Sequence, residues 1–140
     1  MTAESCTGGW VAQAVTSVAG SSDWFERGFV TYSNDSKQEL LGVRAETLAR
    51  HGAVSEQAAA EMARGALEHS RGSISVAVTG VAGPTGCSAA KPVGMVCFAW
   101  ARRGGPVRSE TRRFPGDRQS VRKQSVVRAL EGVLEALDGG

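Results

Sequence analysis

Residues 95–101, MVCFAWA, form a nearly continuous apolar run without a charge in it. Such a run suits a strand at the centre of a sheet, covered by helices on both faces. A second stretch, SISVAVTG (residues 73–80), alternates Ile74, Val76 and Val78 with small residues. It reads as a strand with larger side chains toward one layer and a closely packed second face. VRSETRRF (107–114) reads as an exposed edge strand, and FVTY (29–32), rich in β-branched and aromatic residues, as a further strand.

Helical patterns lie between these strands. Val11, Ala14, Val15 and Val18 recur at helical spacing, and Gly20 closes that segment. SSDWFERG (21–28) reads as a short capped turn of helix, and SNDSKQELLG (33–42) and RAETLARHG (44–52) as two short helices. Ser55 caps a longer helix with a stripe of Ala59, Met62, Ala63, Ala66 and Leu67. The last helix falls within 116–137, with an expected core stripe of Val126, Leu130, Val133, Leu134 and Leu137. The order predicts one α/β layered domain over residues 1–140. One feature is odd: the chain starts where a strand ought already to have delivered TAES to the first helix, and Met1 to Ala3 are too few for a full strand.

A chain of 140 residues with 41% apolar and 21% charged residues can bury a core without staples. No apolar run approaches the ~18 residues that a membrane span needs. The N-terminus lacks the basic and apolar regions of a signal peptide, so a cytoplasmic location is expected. Cys6, Cys87 and Cys97 are odd in number and have no CxxC spacing, and His51 and His69 are the only histidines. A Cys/His metal cluster is therefore not expected. Cys97 reads as a small core residue. Cys6, beside a helix start that lowers thiol pKa, is a candidate reactive thiol with no histidine near it in sequence.

Charge is uneven. Between Ala101 and Arg128 stand nine Lys/Arg (Arg102, Arg103, Arg108, Arg112, Arg113, Arg118, Arg122, Lys123 and Arg128) against Glu110 and Asp117. That skew suits a phosphate or nucleic acid near the C-terminal third, or equally a solvated face. Apart from Phe114, no aromatic residue interleaves the basic run, and no nucleic-acid-binding motif is present.

Three stretches bear on chemistry. SCTGG (5–9) ahead of an apolar helix offers backbone N–H groups at a positive dipole end, and its glycines let an anion approach closely. It is no P-loop, lacking the downstream Gly-Lys-Ser/Thr. TGVAGPTG (79–86) follows a strand, as ligand loops of open α/β sheets do, with Thr79 as a hydrogen-bond donor and Gly80, Gly83 and Gly86 as turn formers. TYSNDSK (31–37) places Tyr32 at a strand end and Lys37 in the helix that follows, a junction able to aim both into one pocket. A serine paired with a buried lysine is a physical alternative to Ser/His, since burial lowers the pKa of the amine. Read from the residues alone, Lys37 is a solvated helix lysine, and Ser5 and Ser22 are N-caps. Arg118 and Arg122 share one face near a helix start, an arrangement suited to phosphate.

TAESCTGGW, GSSDWFERGFVTYSNDSK, HGAVSE, TGVAGPTG, KPVG and GDRQSVR, in this order, resemble the CinA C-terminal domain family. The resemblance runs from Thr2 to the last helix. It implies a three-layer α/β/α sandwich that is commonly a homodimer or higher homo-oligomer. It also implies hydrolysis of the carboxamide of nicotinamide mononucleotide to nicotinic acid mononucleotide and ammonia, in pyridine-nucleotide salvage, with no metal or organic cofactor. By this resemblance Lys37 is the general base, Ser22 the nucleophile with Tyr32 assisting proton transfer, and Ser5 a pocket residue and second candidate for nucleophile. Thr7, Gly8, Thr79, Gly80, Gly83 and Arg118 are the implied substrate contacts, Arg118 toward the phosphate. Glu4 is a candidate to orient Lys37 or to form a structural ion pair. Family members usually carry a helix and a strand ahead of TAESCTGG, and both are expected to be missing here. Two other readings stand beside the enzyme: a non-catalytic, competence-associated module that binds through the basic C-terminal third, and an inactive, shortened oligomerisation domain.

Overall fold

Small side chains on one face of the central strands and large ones on the other decide how the layers stack. The computed structural model of the chain describes residues 1–139. Five strands, β1 (Thr2–Glu4), β2 (Gly28–Val30), β3 (Ile74–Gly80), β4 (Met95–Arg102) and β5 (Val107–Arg113), form one sheet in the order β2-β1-β3-β4-β5. β1 runs parallel to both β2 and β3, whereas β3, β4 and β5 pair antiparallel. Five helices accompany them: α1 (Trp10–Thr16), α2 (Asn34–Leu41), α3 (Ala45–His51), α4 (Glu56–Glu68) and α5 (Arg118–Asp138). A 3-10 turn spans Ser21–Asp23. The result is a three-layer α/β/α arrangement.

On one face Ala77, Cys97, Ala99 and Ala101 meet Ala59, Met62, Ala63 and Ala66 of α4. Side chains this short let α4 lie close to the sheet, near enough for the Ser75 hydroxyl to donate to the Ala63 carbonyl at 2.6 Å. On the other face Val76, Val78, Val96, Phe98 and Trp100 meet Val11 of α1 and Val121, Val126 and Ala129 of α5. Each large side chain buried there contributes about 1.5–3 kcal/mol. Phe98 and Trp100 stack with centroids 5.7 Å apart. The Trp100 indole lies where a Cβ on Gly132 would sit, 2.0 Å from that position, so a glycine is needed at this point of α5. α2 docks on α4 by the same device: a Cβ on Gly65 would fall 1.8 Å from the Leu41 carbonyl oxygen.

Two expectations need correction. The start of the chain, expected to be too short for a full strand, does form one, β1 (Thr2–Glu4), within TAES itself. Three residues suffice because β1 is paired on both sides, its ends extended by Thr2 N–H to Arg27 O, Ser5 N–H to Val78 O and Thr31 N–H to Glu4 O. The stripe of the last helix is rotated from the expected one. Val121, Ser125, Val126, Arg128, Ala129 and Gly132 are buried, while Leu134 and Leu137 are more than half exposed. These two leucines instead border an apolar cavity of about 570 Å³ with Val18, Trp24 and Met1. The stripe of α4 is buried as its spacing predicts, and Ser55 caps it through the Ala58 N–H. β5 is an exposed edge strand, as its sequence predicts. Among the described residues no helix is long and apolar enough to cross a membrane.

Candidate active site

Parallel pairing of β1 with β2 brings the C-terminal ends of both strands to the same edge of the sheet, so the turns after Glu4 and Val30 are neighbours. The first turn carries Ser5. The second leads through Ser33 into α2, whose start is fixed by a capping box between Ser33 and Ser36. One turn into α2, Lys37 is directed inward and is only 1% exposed. Its Nζ lies 2.9 Å from Ser5 Oγ, 2.8 Å from the Thr31 carbonyl and 3.4 Å from the Tyr32 carbonyl. Among the described residues it forms no ion pair. Burial without a compensating carboxylate pushes the amine below the ordinary lysine range.

The arrangement suits proton abstraction. A neutral amine has two N–H bonds and one lone pair. The two carbonyls take the N–H bonds, and the lone pair then faces the Ser5 hydroxyl, which donates to it. Ser5 is itself largely buried, 8% exposed.

Ser22 is placed elsewhere. It lies on the exposed 3-10 turn and is not among the hydrogen-bond partners of Lys37. Tyr32 touches the amine through its backbone carbonyl; its phenol is 62% exposed and accepts a 3.0 Å hydrogen bond from Arg118 Nη2. Arg118 also donates to the Gly83 carbonyl at 2.8 Å, so α5, the loop after β3 and the Tyr32 junction meet at one rim. The other loop residues are spent on structure. Thr79 is buried and its hydroxyl donates to the Ala53 carbonyl at 2.9 Å. Gly80 clears Val96 and the Met95 carbonyl, and Gly83, with φ of 83°, clears Val93.

Glu4 caps α1 rather than orienting Lys37. Fully buried, its carboxylate accepts from the Thr7 hydroxyl at 2.7 Å, the Val11 N–H at 2.8 Å and the Ala12 N–H at 3.0 Å. The helix start expected to receive a substrate anion is thus already occupied by a carboxylate of the chain itself. Capping rules look one to three residues ahead of a helix; this cap comes from the preceding strand, and sequence reasoning missed it. Cys6 is buried and its thiol is pushed up to about 12, mainly by desolvation, so the expected activation by a helix start does not arise.

Sequence reasoning also missed how Arg122 is used. Its Nε donates to the Cys6 carbonyl and its Nη2 to the Thr7 carbonyl, both at 3.1 Å. A Cβ on Gly8, whose φ is 60°, would fall 3.3 Å from Nη2, so the guanidinium lies against this turn. Much of the remaining basic segment is engaged within the fold. Arg128 pairs with Glu110 and Glu135, Arg108 with Glu135 and Arg112 with Glu110, while Arg102 and Arg103 donate to carbonyls. The free charge available for nucleic acid is correspondingly smaller than the count suggests.

Comparison with known proteins identifies the family. The chain is 56% identical over 130 residues to the nicotinamide-nucleotide amidohydrolase PncC of Escherichia coli (strain K12), covering 93% of this chain and 79% of that one. It is 54% identical over 134 residues to the protein of the same name in Pseudomonas putida, covering 96% and 83%. The crystal structure of competence/damage inducible protein CihA from Agrobacterium tumefaciens superposes with a TM-score of 0.94 at 52% identity, covering 96% of this chain and 82% of that one. A family model, the CinA C-terminal domain, matches residues 1–137. With the family model matching residues 1–137 and relatives more than half identical over most of their length, the chain belongs to the CinA C-terminal domain family.

Proposed function

We propose that this chain hydrolyses the carboxamide of nicotinamide mononucleotide, with Ser5 as nucleophile and Lys37 as general base. The carrying observation is the buried, carboxylate-free amine 2.9 Å from a serine oxygen. Relatives more than half identical, named nicotinamide-nucleotide amidohydrolase PncC, supply the substrate class.

Ser5 Oγ attacks the carboxamide carbon as its proton passes to Lys37 Nζ. The tetrahedral oxyanion collapses, the C–N bond breaks, and the Lys37 ammonium gives its proton to the leaving nitrogen, releasing ammonia. The ester left on Ser5 is attacked by water, which Lys37 deprotonates. Its proton returns to Ser5 as nicotinic acid mononucleotide departs. This reading puts Ser5 in the role that the family resemblance implied first for Ser22, and it is supported by Lys37 Nζ contacting Ser5 and not the exposed turn. At the rim, Arg118 has donors beyond the two it uses, and its charge with the Tyr32 hydroxyl suits the nucleotide phosphate.

Ammonia release from nicotinamide mononucleotide tests the reading. The wild-type chain releases ammonia, Ser5→Ala and Lys37→Ala fall to background, and Ser22→Ala stays within a few-fold of wild type. Activity in folded Ser5→Ala would remove Ser5 from its role. A folded wild type that makes no ammonia yet binds DNA in a salt-sensitive way would replace the enzyme with a binding module.

A further inference from the structure

We propose that Arg122 is a positioning residue that aims the Thr7 N–H at the oxyanion formed on attack by Ser5. This rests on the amidohydrolase reading above and adds to it the group that receives the developing charge.

The turn after β1 has a definable shape. The Gly8 N–H donates to the Ser5 carbonyl at 3.0 Å, closing a four-residue turn with Cys6 and Thr7 at its centre. Neither central residue has a positive φ, since positive values among the described residues occur only at glycines. A closed turn with negative φ at both central positions is of type I. In such turns the side chain of the first residue lies on the same side as the N–H of the third, the basis of Ser and Asx turns. Here those groups are Ser5 Oγ and the Thr7 N–H.

Serine would ordinarily take up that N–H itself, but here Ser5 Oγ is held by Lys37. The Thr7 N–H has no partner among the described residues. Arg122 fixes the same peptide from behind. It holds the Cys6 carbonyl at 3.1 Å, and in a planar trans peptide the N–H of Thr7 points opposite to that carbonyl. The second contact, to the Thr7 carbonyl, blocks rotation of the next peptide, which the Trp10 N–H also holds at 3.1 Å. Trp10 faces the guanidinium, its ring centroid 5.5 Å from Arg122 Cζ, and restrains it further. An N–H aimed beforehand at a developing oxyanion stabilises the transition state more than the bound substrate.

The test compares wild type, Arg122→Met and Arg122→Lys in two measurements: kcat and KM for nicotinamide mononucleotide, and the affinity for pyridine-3-boronic acid. Ser5 converts its trigonal boron to a tetrahedral anion that mimics the intermediate. Deleting an oxyanion donor outright costs about 10²–10³-fold in kcat, so loss of its support in Arg122→Met is expected to cost about 10–100-fold, with KM within threefold. Boronate affinity falls by a similar factor. Arg122→Lys, able to hold only one carbonyl, lies between the two, and it decides the matter if Arg122→Met does not fold. A folded variant with wild-type kcat and boronate affinity overturns the proposal while the amidohydrolase reading stands. A loss confined to KM also overturns it, making Arg122 a substrate ligand. A wild type without ammonia release, or an active Ser5→Ala, removes the amidohydrolase reading and this proposal with it.

Discussion

Two buried cations stand in this small fold, and their surroundings are opposite. Lys37 is enclosed by one hydroxyl and two carbonyls, and burial lowers its pKa. Arg128, on the far part of α5, donates to Glu110 and Glu135 at 2.7–3.2 Å and lies 5.1 Å over the Trp100 ring, and these carboxylates raise its pKa. A buried cation with carboxylates is held in one charge state and serves the architecture. A buried cation offered only neutral oxygens can change state, which a proton-transfer reaction requires.

The largest effect that sharpens this contrast is on catalysis. Lys37→Arg keeps a cation in the pocket but cannot lose its proton, so kcat should fall about 10³-fold or more, toward the upper range for removal of a general base. Arg128→Met should leave kcat within twofold. Equal losses in both variants would erase the distinction. For the wild type, kcat/KM should climb with pH as Lys37 loses its proton, with a midpoint below the ordinary lysine value because burial disfavours the cation. A midpoint at or above that value would mean that the amine is not desolvated in solution.

Next in size is stability. Arg128→Met takes one of two arginine partners from Glu110 and from Glu135, which keep Arg112 and Arg108, and should cost about 1–3 kcal/mol, chiefly through the lost pair with Glu110 and the contact with Trp100. Lys37→Met removes a desolvated amine from among neutral oxygens and should hold the thermal midpoint near wild type or raise it. Thermal unfolding of the two variants checks the sign. Smaller again is Glu4→Gln, which substitutes a neutral amide for a carboxylate taking two backbone N–H groups and should cost about 1–2 kcal/mol. The least effect is expected from alkylation with iodoacetamide at pH 8. The exposed Cys87 reacts, and Cys6, buried with its thiol near 12, does not. Labelling of Cys6 would show that the turn opens.

Much of this was legible in the residues. Apolar alternation in 73–80 foretold both faces of β3, and the α4 stripe stood where its spacing placed it. Lys37 was found through its motif, since nothing in helical periodicity distinguishes an inward lysine from a solvated one. The choice between Ser5 and Ser22 was not legible. Both precede short helical segments, and only the pairing of β1 with β2 decides which one the amine can reach. β1 itself escaped notice because three residues carry no periodicity; its neighbours make it a strand. The α5 stripe was misplaced because leucines at 134 and 137 suggested a core, whereas Gly132 receives Trp100 and Arg128 receives carboxylates. Those partners are remote in sequence and leave no local signature.

The contact between Gly65 and the end of α2 has a consequence for the chemistry. The hydrogen at that position sets how deeply α2 seats, and the seat determines where the Lys37 amine comes to rest. A methyl group there would lift the base from the serine while every residue of the pocket kept its identity. A position outside the pocket thus governs where its base can sit.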